Sequence, residues 1–410
     1  MQERGAPLLY VWNQGGQTMG DPGAFNSYYP TFLRYVGTAL VLALIIYLTY
    51  KGLRKLGVKT EAATGFALIT PWLVGRILLT AFPILLSFYL GFTEYNILWD
   101  RPRSLEDPLF NYKRALSIKI VTFDKDERVS IARLGQLGAA GPDVVRYREL
   151  DSFVIGDKRY VIAASDIYLL KAIWLTLRYA ALSIPLGMAG ALGVALLLNQ
   201  RVKGVGYWRT LYYLPAVLPA AAVALLWFWL FAPNRGLINW ALGPIYSLTG
   251  SEPLGWFTDK DLVLPSFVIM SLWGVFGANT VILLAGLKNI PPDLYEAASI
   301  DGAGTLVKFR RITIPMLSPT LFYTLIMGVI GALQLFTEQA FIPTDRADGW
   351  FVNWFLYNEA FNFGRMGYAS AVGWLYAVLI IAVTLIVFRS STAWVFYEGA
   401  REREPGGAKA

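Results

Sequence analysis

The chain has 410 residues, 56% of them hydrophobic, 15% aromatic and only 16% charged, which is far too apolar for an ordinary soluble domain and belongs in a bilayer. It has no cysteine and no histidine, so disulfides, thiolate metal sites, zinc chemistry and Ser-His-Asp triads are excluded, and catalysis is not expected. The net charge of +8 could suggest nucleic acid, but the basic residues cluster beside apolar spans in the positive-inside pattern, so no nucleic-acid partner is expected.

Residues 1–62 read as an N-terminal segment with one extra membrane helix. Met1 to Pro30 is polar and Gly-rich, without the basic, apolar and small-residue succession of a signal peptide. An apolar run over about 31–50 follows, and Lys51, Arg54, Lys55 and Lys59 come directly after it. Those charges put its far end in the cytoplasm and the N-terminus outside. A re-entrant or interfacial segment is the other reading of so short a run.

Residues 63–95 hold the first core membrane helix, a span from Phe66 to Phe92 with Pro71 and Pro83 inside it. From Asn96 to Asp166 the composition changes to charges of both signs, Pro, Gly and short alternating runs such as Ser117 to Phe123. Ser152 to Ala164 reads as a hairpin turning at Gly156-Asp157. Residues 96–166 are thus expected to form a small, β-containing extracytoplasmic insert. It is either a solvated loop or a contact surface for a delivering binding protein.

Residues 167–398 carry five more spans. Ile173 to Leu198 is followed by Arg201, Lys203 and Arg209. Leu211 to Phe231 is read as one span containing Pro215 and Pro219, then Asn234 to Lys260 as an outer loop. Leu262 to Leu287, Met316 to Phe341 and Tyr368 to Phe388 complete the set, and Arg389 with the tail 399–410 falls in the cytoplasm. The total of seven spans puts every basic connection, and the polar stretch Asn289 to Pro319, on one side of the membrane.

That stretch, NIPPDLYEAASIDGAGTLVKFRRITIPMLSP, is a polar island between two apolar runs. Pro291 and Pro292 stop the preceding helix, and Asp293 is placed to cap a short helix from Leu294 to Ile300. Gly302 and Gly304 then turn the chain, and a second short helix through Lys308 to Arg311 leads to Pro315, at the first turn of the next span. Two brief helices at an angle, with Glu296 beside the small Ala297 and Ala298, suit close contact with another protein.

The residues resemble the EAA loop of permease subunits in binding-protein-dependent ABC importers. That pattern is Glu-Ala-Ala, three residues, Gly, nine residues, Ile-x-Leu-Pro. Glu296, Ala297, Ala298, Gly302, Ile312 and Pro315 fit it, with Asp301 beside the glycine and Ile314 where Leu is usual. Further resemblance to the carbohydrate-type members, in the maltose and glycerol-phosphate branch, lies in ALLLNQRVKG, YLPAVLP, WFWLFAPNRGLIN, FTEQAF, YNEAF and GYASAVGWLYAV.

The resemblance implies an all-α polytopic protein with a MetI-like core of six helices plus one N-terminal helix, placed in the cell inner membrane. It implies a heterodimer with a second permease, an ATPase dimer that engages Glu296 through a salt bridge, and an external solute-binding protein delivering a sugar-like substrate. ATP and Mg would sit on the ATPase, since this chain has no Walker A loop and is expected to bind no cofactor itself. The two permeases would rock between inward-open and outward-open forms.

A polar solute needs small residues for room and a few polar groups facing it. Ser271, Gly274 and Ala278 recur at helical spacing with Asn279 adjacent. Gly331, Gln334 and Glu338, spaced by three and four, are expected to share a helix face. For the glycines, close helix packing is the competing use, and Glu338 is also read as simply solvated near the outer interface. Trp227 is read either as a sugar-stacking ring or as an interface anchor. Ala216, Ala220 and Ala332 are smaller than in the maltose transporters, which puts maltose itself in doubt. The alternative function is a stand-alone secondary transporter or channel for a polar solute. It would need an ion-coupling acid deep in a span, and no span has one near its centre.

Overall fold

A computed structural model describes residues 22–98, 100–124, 147–200 and 204–396. The polar stretch before residue 22, much of the insert, Arg201, Lys203 and the tail 399–410 lie outside the described residues. The chain divides into two units, the first ending at Leu86 and the second beginning at Ser87.

The first unit is helical. Helix α1, Pro22–Lys55, is longer than the run over 31–50 because its apolar residues are extended on both sides by residues that tolerate a helix. Helix α2, Thr60–Leu90, starts in this unit and keeps Pro71 and Pro83 inside it, as the sequence suggests. Both present mostly uncovered apolar side chains.

The second unit opens with the insert. Strands β1, Thr93–Glu94, and β2, Arg103–Ser104, pair antiparallel and precede helix α3, Phe110–Leu116. Strands β3, Ile118–Asp124, β4, Arg148–Ile155, and β5, Lys158–Ala164, form an antiparallel sheet in the order β3-β5-β4. Ile155 faces Lys158 across Gly156-Asp157, so the expected hairpin forms. Alternation puts Phe123, Val161 and Ala163 on one face, where they bury with Tyr147.

Asp166 ends the sheet and caps helix α4, Ile167–Asn199, accepting from the N–H groups of Tyr168 and Leu169. Next, α5, Val205–Val217, and α6, Ala220–Leu230, replace the single expected span: they meet at 97° across Leu218 and Pro219. Pro219 lacks an N–H, and it forces Leu218 into extended backbone, ψ 141°. Helix α7, Leu237–Thr249, lies within the stretch Asn234 to Lys260 read as an outer loop.

Helix α8, Lys260–Lys288, runs along α4. Gly277 is the point where α5 comes closest: a Cβ there would lie 2.3 Å from the Tyr212 carbonyl oxygen. The polar stretch holds α9, Pro292–Ile300, and α10, Thr305–Lys308, and runs into the start of α11, Ile314–Leu333. Short helices α12, Thr337–Ala340, and α13, Val352–Tyr357, precede the last long helix, α14, Met366–Trp394. By length and composition, six helices among the described residues can cross a membrane, or seven if the bent pair counts as one span.

Helices α4, α8, α11 and α14 form the body of the second unit. At the end carrying the insert, the core is aromatic, with Tyr179, Phe231, Phe257, Phe267 and Phe351. At the end carrying the polar loop it is aliphatic, with Ala191, Ala195, Leu283, Leu287 and Leu317. Small residues there let the helices approach closely.

Candidate functional site

The polar loop is built outward from that aliphatic end. Pro291 caps α9 and Pro292 opens it, while Asp293 sits in the first turn and its side chain makes no capping bond, contrary to expectation. Its carboxylate still lies where the helix dipole favours negative charge. At the other end Gly302 has φ +73°, a conformation that side-chain-bearing residues rarely adopt. Its N–H bonds Ser299 O at 3.1 Å and the Ala303 N–H bonds Ala298 O at 2.8 Å, a Schellman closure.

The second short helix differs from expectation. Helix α10 does not stop before Pro315 but passes through a π-turn, Phe309–Thr313, directly into α11. Pro315 cannot donate to Arg311, and the widened turn, with Ile314 N–H bonded to Phe309 O, absorbs the misfit. Two cross-links set the angle of α9 against this rod. Tyr295 Oη and Thr313 Oγ1 are 3.0 Å apart, and Lys308 Nζ donates to Ser299 Oγ at 2.6 Å.

Tyr295 and Ile312 anchor the loop on the aliphatic core. Glu296, Ala297, Asp301 and Gly302 face outward, with Ala298 and Pro315 half-buried. Glu296 makes no ion pair among the described residues, and Leu294 and Ile300 on its own helix and Leu306 on the next are exposed, Ile300 by 87%. An exposed charge on a loop that also exposes several large apolar side chains is an interface composition rather than a solvated one.

A second feature is a cavity of about 610 Å³ between α4, the α5–α6 bend, α8 and α11. From α8 it is lined by Ser271, Gly274, Ala278 and Asn279, from the end of α11 by Gly331 and Gln334, and from α12 by Glu338. The last three do not share one helix face, as the spacing suggested. Helix α11 ends at Leu333, Gln334 is its C-cap, and Glu338 returns on α12 after the chain bends at Phe336. No Cβ contact is pending at Gly274 or Gly331, which open onto free space, whereas Gly277 serves packing. Ala216, Ala220 and Ala332 also line the cavity. Trp227 does not. Its ring packs beside Phe231 and Trp273, at centroid distances of 5.1 and 6.0 Å, and its buried indole N–H has no partner among the described residues.

Sequence reasoning missed a third feature, at the insert end. Glu359, in a π-turn over Asn358–Asn362, is fully buried. It receives Arg346 at 2.8 Å and Arg365 at 3.2 Å. Arg346 stacks on Tyr168 at 4.4 Å and on Phe363 at 4.5 Å, and Tyr368 Oη donates to Asp166 at 2.9 Å. Burial pushes the Glu359 carboxyl above the usual range, while Arg365 and Arg346 pull it back and Asp166 adds to the rise. The cage ties the starts of α4 and α14 to the loop between α12 and α14. The only signal in the sequence is an acid inside the aromatic run from Trp354 to Phe361.

Residues 183–395, the stretch from the cavity wall through the polar loop to the end of α14, match the family described as binding-protein-dependent transport system inner membrane component. The probable ABC transporter permease protein YesP of Bacillus subtilis (strain 168) is 31% identical over 350 residues, 84% of this chain and 96% of that protein. The chain belongs to this permease family. The trehalose/maltose transport system permease protein MalF of Thermococcus litoralis is 32% identical over 238 residues, 57% of this permease and 79% of that protein. A bacterial ABC transporter involved in the import of the acidic polysaccharide alginate has a chain of like fold. Its TM-score is 0.50 at 25% identity, covering 55% of this permease and 79% of that chain. The permease is therefore a multi-pass membrane component of a binding-protein-dependent importer with a MetI-like helical core.

Proposed function

We propose that the permease forms one half of a translocation path for a sugar or sugar-like solute, driven by a separate ATPase that docks on residues 289–319. The observation that carries this is the outward-facing Glu296 on a short helix, fixed at an angle by Gly302 and the Tyr295 and Lys308 cross-links. A rigid projection can transmit a partner's movement to α8 and α11, which flank the cavity.

In this reading two ATPase subunits bind ATP and Mg and close on one another. A second permease pairs with this one, and the solute-binding protein delivers its load at the insert end. The paired permeases then alternate access to the cavity, whose volume lies within the range of small-molecule sites. The sugar assignment is supported by relatives named for trehalose, maltose, diacetylchitobiose and arabinooligosaccharide transport. The test is whether uptake into liposomes requires the added ATPase.

The same reading puts the loop and the C-terminus in the cytoplasm and the N-terminus outside, supported by Lys51, Arg54, Lys55 and Lys59 after the first span. A tag at Met1 should be reached by an antibody applied to cells with a permeabilised outer envelope and intact inner membrane. Protection of that tag until the inner membrane is lysed would reverse the orientation.

A further inference from the structure

We infer that the cavity wall supplied by this chain selects against anionic solutes, so that the transported sugar is uncharged or carries an amino group, with Glu338 as the residue that sets this specificity. The inference rests on reading the cavity as the solute path.

The cavity offers neutral hydrogen-bonding groups on several sides: Ser183, Ser271, Asn279, Gln334 and Thr337. Such hydroxyls and amides match the paired donor and acceptor character of sugar hydroxyls. The lining has a single side chain charged at neutral pH, the Glu338 carboxylate, and no lysine or arginine.

That carboxylate is uncompensated among the described residues. The basic side chains of α4 and of the loop between α12 and α14 are engaged elsewhere: Lys171 with Asp348 at 2.9 Å, Arg346 and Arg365 with Glu359, and Arg178 over the Trp174 ring at 5.4 Å. Glu338 is half-buried and lines the cavity together with Tyr179 of α4. A lone charge between low-dielectric walls focuses its field into the space they enclose, raising the local concentration of cations and lowering that of anions by about tenfold or more. A uronate or phosphate on a sugar would meet this field without a basic partner on this wall. A hydroxyl or an ammonium would not be repelled.

The absence of cysteine from the chain supplies the test. Gln334→Cys, and separately Ala278→Cys, would be introduced into the complete importer in lipid nanodiscs, where both membrane faces are open to reagent. Labelling of this chain by a trimethylammonium methanethiosulfonate and by a sulfonate methanethiosulfonate would be followed by mass spectrometry, each rate divided by that with free 2-mercaptoethanol. Any effect of Glu338 on thiol ionisation acts on both reagents alike and cancels in the ratio.

The cation is expected to react about tenfold faster than the anion at both positions, and Glu338→Gln should bring the ratio close to one. Equal rates, or a faster anion, would overturn the selectivity while leaving the cavity accessible. A ratio unmoved by Glu338→Gln would remove Glu338 from the role. Failure of both reagents at both positions would overturn the solute path itself, and the inference with it.

Discussion

Glu296→Ala is expected to abolish uptake and to weaken capture of the ATPase at least about thirtyfold, with the permease still inserted and folded. The fold should survive because the Glu296 side chain is exposed and pairs with no other described residue. The loss falls on the partner, whose cation would be left desolvated and unpaired, at a cost of about 2–5 kcal/mol, where each 1.4 kcal/mol is a factor of ten. Gly302→Pro should give the same transport defect by another route. Proline holds φ near −65°, and Gly302 sits at +73°, so the turn that aims α9 cannot form. Membrane insertion, size-exclusion profile, ATPase capture and uptake measured on one preparation separate these effects. Wild-type uptake by either variant would contradict the docking role.

Glu359→Ala is expected to be the most damaging single change to stability outside the loop. It removes the acid from between Arg346 and Arg365 and leaves two part-exposed guanidinium groups without their shared carboxylate. Removing one partner of a fully buried ion pair costs about 3–5 kcal/mol. Arg346 and Arg365 are 30% and 40% exposed and can regain water, so the loss is expected nearer about 2 kcal/mol, still a large share of the stability of a folded domain. Glu359→Gln keeps the shape and one acceptor, so its loss should be smaller. Thermal unfolding in detergent with a lipid supplement checks the order: wild type highest, then Gln, then Ala. An alanine variant as stable as wild type would show that the cage adds nothing to the fold.

Much of this architecture is legible in the sequence where one signal dominates. Long apolar runs specify that α4, α8 and α14 exist, with α8 placed to within two residues while α4 starts six residues before its expected span and α14 ends six residues after it. Gly156-Asp157 between β-branched runs specifies the hairpin. The Pro291-Pro292 stop and the Gly302 turn are likewise local.

The features that differ are decided by distant residues. The apolar text from Ile314 to Phe341 gives no sign that the helix ends at Leu333. The freed Leu333 carbonyl is taken by the Tyr376 hydroxyl, far along the chain. The bend after it is held by buried Gln339, whose Oε1 accepts from the Phe351 N–H at 2.8 Å and whose amide reaches Gly349 O. Those contacts bring Glu338 into the cavity by a turn and not by helical spacing. The break at Pro219 follows the same logic, since a proline in an apolar run bends a helix only as far as its neighbours accommodate. Glu359 was hidden because its arginines come from both sides of it and its other neighbours from the start of α4.

Force delivered through the loop at 289–319 by another protein is the claim on which the proposed function stands. Its most direct test is uptake of radiolabelled trehalose, maltose and diacetylchitobiose, each with a solute-binding protein that accepts it. One set of liposomes would hold the two permeases alone, the other the two permeases with the ATPase and internal ATP and Mg. Accumulation should occur only in the second set and should vanish when Glu296→Ala replaces the wild type. Accumulation against a gradient by this polypeptide without any ATPase would contradict it.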